Sequence, residues 1–425
     1  MVKDSLNSVF IVRLLNLVLR AGTLTSKFAL IFFLARVLDP VDVGLFGLVF
    51  ATVSYAVSFI GAEFYIYSIR EVIIHKDYER VGMLRDQGVF LILIYVIMLP
   101  LLLSIFYFNL LPWSFVFWFF SLLISEHLGV EFNRLLVALS KPLAASMVLF
   151  VRSGVWVLFL IPFLLLKPEM QRLNVVLGFW LAGSVVACAL AIASLSKKLD
   201  FSSMHNKINW SWIKFGLKVS FPFFISTISL RAVFVLDKYA FEFTSGLDKL
   251  AAYILLLGIA NAMISFLDSG VFVFYYPNMI AAYKNKDFAA FDSNLRKMIV
   301  QVVVFCFIFT SLSMLSINFV LDLIGKDIYR NSVYLLPWLL LAFTLYALSS
   351  IPQYCLYACK CDRPIILSHI LALPVFVASC LLFSSMYQEL AIPISMVSVF
   401  LFVFIFKYIS WMRVRKVIFQ RQEVS

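Results

Sequence analysis

Charge is scarce in this sequence, and so are the residues on which soluble catalysis depends. Only 14% of the 425 residues are Asp, Glu, Lys or Arg, where a soluble domain carries about 25%. Histidine occurs four times, at 75, 127, 205 and 369, so a histidine-based site has few candidates. There is no phosphate loop, no Gly-x-Gly-x-x-Gly opening a helix and no His-Glu-x-x-His. A Gly-x-Ser-x-Gly elbow is missing as well. Six cysteines are present, and Cys355, Cys359 and Cys361 cluster near the end of one apolar run. No histidine or second cysteine pair completes a zinc pattern around them. They read as ordinary thiols on a reducing side of a membrane, and neither a metal nor another cofactor is expected. Polar segments long enough to fold as a soluble domain are lacking too.

What is present is apolar. The chain is 63% hydrophobic with a mean hydropathy of +0.99, and a run of about 20 such residues crosses a bilayer. Spans are expected near 9–35, 44–69, 88–109, 112–136, 143–166, 173–195, 213–237, 250–276, 298–322, 333–357, 364–385 and 391–411. The first run is long, carries internal cations and lacks a small-residue cleavage site, so it is expected to remain as the first span. Prolines at 100, 162, 222, 374 and 393 are expected to break several spans. The fold class is therefore all-α integral membrane, about twelve helices in two six-helix lobes, 1–200 and 201–425, around a central cavity.

The net charge of +12 does not point to nucleic acid. The basic residues punctuate apolar spans and form no single soluble face. They do set an orientation. Arg70, Lys76, Arg80, Arg85, Lys197, Lys198, Lys207, Lys214, Lys284, Lys286, Arg296, Lys297, Arg413, Arg415, Lys416 and Arg421 fall on one side. In all about 21 cations lie there and about 7 opposite, so both termini are expected in the cytosol of a bacterial inner-membrane protein. Trp113 and Trp118 suit the outer interface, and Trp210 and Trp212 the inner one.

The chain also repeats itself in outline. Tyr65 through Lys76-Asp77-Tyr78 matches Tyr275 through Lys286-Asp287-Phe288; Glu131-Phe132 and Lys141-Pro142 match Gln353-Tyr354 and Arg363-Pro364. Two halves in the same order and orientation make a parallel repeat, and transporter sites tend to lie between such repeats. Further short motifs are Arg36-Val-Leu-Asp39-Pro40 to Gly44-Leu-Phe-Gly47, Ser220-Phe-Pro222, Asp237-Lys238 and Tyr275-Tyr276-Pro277. In this order, over nearly the whole chain, they resemble the Wzx polysaccharide (O-antigen) flippases. Those belong to the multidrug/oligosaccharidyl-lipid/polysaccharide exporter superfamily, with peptidoglycan lipid flippases and MATE drug exporters as relatives. The resemblance implies a twelve-helix bundle that moves an undecaprenyl-diphosphate-linked oligosaccharide from the cytosolic to the periplasmic leaflet by alternating access. It also implies membrane lipids, a polysaccharide polymerase and a chain-length regulator as partners.

The charges inside the spans carry the chemistry. Arg13, Arg20 and Lys27 are seven apart, and seven residues fall within about 20° of two full helical turns. The three cations make one stripe covering about 21 Å of rise. A cation at the middle of a span costs about 2.5–3.5 kcal/mol, so Arg20 should face protein or a wet cavity. Its natural client is an anion, because the guanidinium fork gives phosphate two parallel hydrogen bonds. The bland alternative pairs the stripe with acids on neighbouring spans. Arg152, Lys218 and Arg231 are further intramembrane cations, with Lys218 close enough to an end to snorkel. Lys218 and Arg231 sit on nearly opposite helix faces unless Pro222 kinks the helix.

The intramembrane acids are Glu63, Glu126, Glu131 and Asp268. They serve either as ion-coupling sites or as counter-ions for the cations. His127, Glu131 and Arg134 share one face of the fourth span, and a Glu131–Arg134 pair within the helix is expected. Two other functions compete with the flippase. A MATE-like drug or metabolite antiporter should have an acid-dominated interior, and a membrane polysaccharide polymerase needs a large periplasmic loop. The sugars carried, the glycan class and the driving ion are not written in the sequence.

Overall fold

The computed structural model describes residues 2–75, 77–196 and 207–420, with side chains described from residue 14 except at 77, 78 and 418–420. Twelve helices among these are long and apolar enough to cross a membrane. The first six are α1 (Leu14–Val37), α2 (Pro40–Gly61), α3 (Glu79–Tyr107), α4 (Trp113–Ala138), α5 (Pro142–Leu166) and α6 (Leu173–Ser196). The others are α7 (Trp210–Ser245), α8 (Leu247–Lys284), α9 (Phe288–Ile324), α10 (Asp327–Ala358), α11 (Arg363–Ser384) and α12 (Gln388–Val417). The all-α, twelve-span fold is thus as the sequence led one to expect.

Several elements depart from expectation in detail. Helix α7 lies in one unbroken 36-residue helix, about 54 Å long against a hydrocarbon core of about 30 Å. The second span stops at Gly61, eight residues early. Ala62 and Glu63 adopt left-handed backbone, φ 46° and 51°, which no helix continues through. A separate short helix, Tyr65–Ile74, follows. One helix ends at Leu102, two residues after Pro100, but others continue without interruption through Pro162, Pro222 and Pro374, and Pro393 sits in a first turn, where a missing N–H costs nothing. The interruptions are π-helical turns instead, at Val151–Val155 in α5 and Asp268–Phe272 in α8.

Two compact units divide the chain. One holds residues 1–38 and 48–224; the other holds 39–47 and 225–425. The first unit is built on α4, α5 and α6, with Leu136, Val148, Ala187 and Ala191 at the shared contact. Alanine at that seam lets the backbones approach closely, the usual way helices associate in lipid. A second cluster joins Phe64 and Tyr67 to Phe90 of α3 and to Trp212 and Ile213 of α7. In the second unit, Phe234 of α7, Phe343 and Tyr346 of α10 and Phe400 of α12 stack on one another. Here too lie the motif glycines. A Cβ on Gly44 would sit 2.3 Å from the Leu247 carbonyl oxygen, and one on Gly47 1.9 Å from Ile254 Cδ1. At 44 the obstacle is backbone, so nothing larger than glycine fits, and at 47 a larger residue requires Ile254 to move. Bulky side chains such as Phe307, Leu315 and Leu381 point outward, as lipid requires.

The repeat is visible in backbone shape. Short 3-10 turns at Trp113–Phe115 and Pro168–Met170 recur 220 residues on, at Val333–Leu335 and Gln388–Leu390. The 23-residue helices that follow the first of each pair, Val116–Ala138 and Leu336–Ala358, recur at the same interval. That offset puts Glu131 opposite Ile351, two residues from the Gln353 suggested by residue type.

Candidate anion site in the first unit

Arg152 enters the interior of the first unit because α5 unwinds there. The π turn spans Val151–Val155, and such turns frequently mark functional sites. Trp156 Nε1 donates to the Arg152 carbonyl at 3.0 Å and stabilises the widened turn. The guanidinium lies across Gly129 of α4, where an added Cβ would meet Arg152 Cδ at 2.9 Å. The glycine clears the path of the side chain.

Glu126 of α4 is its partner. Arg152 Nε stands 3.7 Å from Glu126 Oε2, with the two side chains 12% and 16% exposed. The other carboxylate oxygen is occupied: Glu126 Oε1 accepts from Trp180 Nε1 at 2.9 Å and from Ser184 Oγ at 2.5 Å, both on α6. Glu126 is therefore the counter-ion, held by two donors. Arg152 is not satisfied in return, since its buried Nε and Nη1 have no hydrogen-bond partner. A guanidinium with an uncommitted donor is suited to a phosphate or carboxylate group.

Lys27 of α1 adds a second positive charge within electrostatic reach of both Arg152 and Glu126. Helix α1 is pressed onto α5 through small residues on either side of it: a Cβ on Gly22 would lie 3.0 Å from the Phe150 ring, and one on Gly154 3.3 Å from Ser26 Oγ. Two cations face one carboxylate, so the cluster is net positive. Arg20 is exposed and makes no hydrogen bond or ion pair among the described residues. The Arg13 side chain lies outside the described residues. Of the described side chains of the stripe, Lys27 is the one within electrostatic reach of an acid.

A second polar group in this unit is mostly paired within itself, with His127 Nε2 buried and without a hydrogen bond. Arg134 Nη1 donates to Glu131 Oε1 at 2.6 Å, as the spacing led one to expect, and stacks 3.5 Å over the Tyr65 ring. Gln87 Nε2 donates to Glu131 Oε2 at 3.0 Å. Tyr95 and His127 Nδ1 share a 2.6 Å hydrogen bond. Glu63, expected inside the second span, sits past its end at the left-handed corner, buried and near Glu131.

The remaining candidates are scattered, Lys218 in the first unit and Arg231 and Asp268 in the second. Lys218 and Arg231 are both exposed, on a helix that Pro222 leaves continuous. Asp268 is exposed too, contrary to the expectation of burial, because the π turn of α8 carries it outward. Arg231 and Asp268 are nonetheless both close enough to Tyr346 to act on it electrostatically. Two buried charges had not been singled out as site residues. Asp237 is wholly buried and accepts from Tyr253 at 2.9 Å and from Lys238 at 3.1 Å. Lys407 is wholly buried in α12. Its signal was legible: it is the first charge after an uncharged run from Ala391 to Phe406, but its nearness to the tail cations hid it.

No family model and no curated protein matches the chain. Solved structures do. The inward-facing conformation of a multidrug resistance MATE family transporter of the MOP superfamily aligns over 96% of this chain and 99% of its own, with TM-score 0.76 and 14% identity. The outward-facing conformation of such a transporter aligns over 96% of each chain at TM-score 0.61 and 14% identity. A MOP superfamily transporter from Pyrococcus furiosus, described as having a binding pocket of reverse polarity that suggests a different function, aligns over 96% of this chain and 95% of its own, at TM-score 0.60 and 14% identity. The fold of this chain is that of the MATE transporters of the MOP superfamily.

Proposed function

We propose that this protein is a flippase for a lipid-linked anionic glycan, an undecaprenyl-diphosphate-linked oligosaccharide of the O-antigen type, moved from the cytosolic to the periplasmic leaflet by alternating access. The observation that carries the reading is Arg152. It is a largely buried guanidinium whose Nε and Nη1 make no hydrogen bond, beside Lys27, in a cluster of net positive charge. An intramembrane cation is expensive, and a diphosphate is the client that repays it. Arg13, Arg20, Lys218 and Arg231 are assigned as further cations for the diphosphate and its sugars. Glu126 and Glu131 act as counter-ions, and Glu63 and Asp268 are assigned to the same supporting role. No covalent step is assigned to any residue. The protein is placed in the bacterial inner membrane with both termini cytosolic, alongside the polymerase and chain-length regulator that consume the flipped units.

One alternative has a specific observation behind it. The neighbours in fold are described as multidrug resistance transporters, which favours a MATE-like antiporter. Polarity of the interior separates the two, since a cation exporter gains nothing from Arg152, and the Pyrococcus furiosus protein is described as differing from its fold relatives in this respect.

The test is complementation of a host lacking its own flippase, reading surface glycan at matched expression. Wild type should restore glycan and Arg152→Gln should not. Glycan delivery that survives Arg152→Gln, or drug resistance conferred without glycan delivery, would overturn the reading.

A further inference from the structure

Lys407 is the most costly side chain in the second unit. It is 0% exposed, on a helix that is uncharged for sixteen residues before it. Among the described residues its amine has one hydrogen-bond acceptor, Gln353 Oε1 of α10, at 2.6 Å. That acceptor is neutral. An ammonium has three donors, and a buried charge is normally paired or given several partners.

The ionisable groups around it do not supply a counter-ion. From α11, His369 lies within electrostatic reach. Its Nδ1 is 3.1 Å from Ser226 Oγ of α7, and its buried Nε2 has no partner. Helix α10 offers Gln353, and Cys355 two residues on. Two turns further along α12, Arg415 pairs with Asp292 of α9 at 2.8 Å. At the other end of α12, Glu389 is held by Lys249 of α8. Both of these acids are held by other cations.

A purely structural role sits poorly with this. Methionine or leucine would fill the volume without the cost, whereas Asp237, the other wholly buried charge of this unit, is given two donors. A buried lysine changes protonation more readily than any arginine. We propose that Lys407 is a proton-binding site: its Nζ lone pair takes a proton from water admitted to it in one state of the transport cycle and returns it to water in another. The energetic difference between charged and neutral amine, with only Gln353 to receive it, then biases the packing of α10, α11 and α12. The inference rests on the transport reading but not on the nature of the cargo.

The experiment measures thermal unfolding of the purified full chain in detergent from about pH 6 to about pH 9, comparing wild type, Lys407→Met and Gln353→Glu. A group whose proton affinity differs between folded and unfolded chain makes stability pH-dependent. The unfolded chain hydrates a charged amine and the folded site does not, so wild type should lose ground against Lys407→Met as pH falls. Gln353→Glu places a carboxylate on the amine, keeps it charged, and should flatten that dependence. If Lys407→Met does not fold, wild type against Gln353→Glu gives the same readout. Running the series in a His369→Gln background keeps the histidine out of it. A gap between variants that stays constant with pH would overturn the proposal while leaving the flippase reading untouched. A pH-linked gap in a protein that delivers no glycan would do the reverse.

Discussion

Two enclosed cations among the described residues, Arg152 and Lys407, are handled in opposite ways. Arg152 stands in a π turn, faces a carboxylate that two further donors hold in place, and leaves Nε and Nη1 without a hydrogen bond. Lys407 stands in regular helix, wholly enclosed, with one amide oxygen. The first arrangement keeps a charge permanent and presents it; the second makes a charge conditional. Arginine and lysine are suited to those tasks respectively, since a guanidinium does not give up its proton and an amine can.

Breaking the first arrangement should have the largest effect. Arg152→Gln is expected to abolish glycan delivery and to cost about 3–5 kcal/mol of stability by stranding Glu126. Adding Glu126→Gln should return much of that stability in thermal unfolding without returning delivery. Delivery restored by the double variant would show that Arg152 only neutralises an acid. Next comes the stripe. Arg20→Ala should abolish delivery at normal expression, while Arg20→Lys keeps part of it because charge remains and the fork does not. Unchanged surface glycan in Arg20→Ala would remove Arg20 from the account.

Smaller effects sharpen the comparison. Gly129→Ala puts a methyl 2.9 Å from Arg152 Cδ, so the side chain must shift by a few tenths of an ångström. Delivery should fall several-fold, with a stability cost of about 1–3 kcal/mol from overpacking. The smallest effect should belong to Glu131→Gln. Its partner Arg134 keeps the Tyr65 ring, so unfolding should shift while delivery stays near wild type. A transport defect there as deep as that of Arg152→Gln would make that cluster part of the site.

Much of the fold was legible because a bilayer leaves few choices: long apolar runs become helices, and α4, α6 and α11 lie within a few residues of where hydropathy puts them. The Glu131–Arg134 pair was legible for a similar reason, being fixed by helix geometry alone. What failed depended on local backbone. Proline was taken as the breaker, but the helices pass through Pro162, Pro222 and Pro374 and unwind at Val151–Val155 and Asp268–Phe272, where no residue type announces it. The left-handed pair Ala62–Glu63 ended α2 early for the same kind of reason, as neither residue is a glycine. Arg152 was identified as an intramembrane cation, yet its partner was not, because Glu126 and Arg152 meet only through packing of α4 on α5. Lys407 was passed over since position in a span says nothing of enclosure.

The central claim is that Arg152 receives an anionic diphosphate, and direct binding tests it. Purified protein in detergent would be titrated with geranylgeranyl diphosphate and with the uncharged geranylgeraniol, for wild type and Arg152→Gln. One charge-assisted hydrogen bond contributes about 1.5–3 kcal/mol, which is about 10- to 150-fold in affinity. Wild type should prefer the diphosphate, and Arg152→Gln should lose about that factor for the diphosphate alone. Equal affinity of the two proteins for the diphosphate would contradict the account.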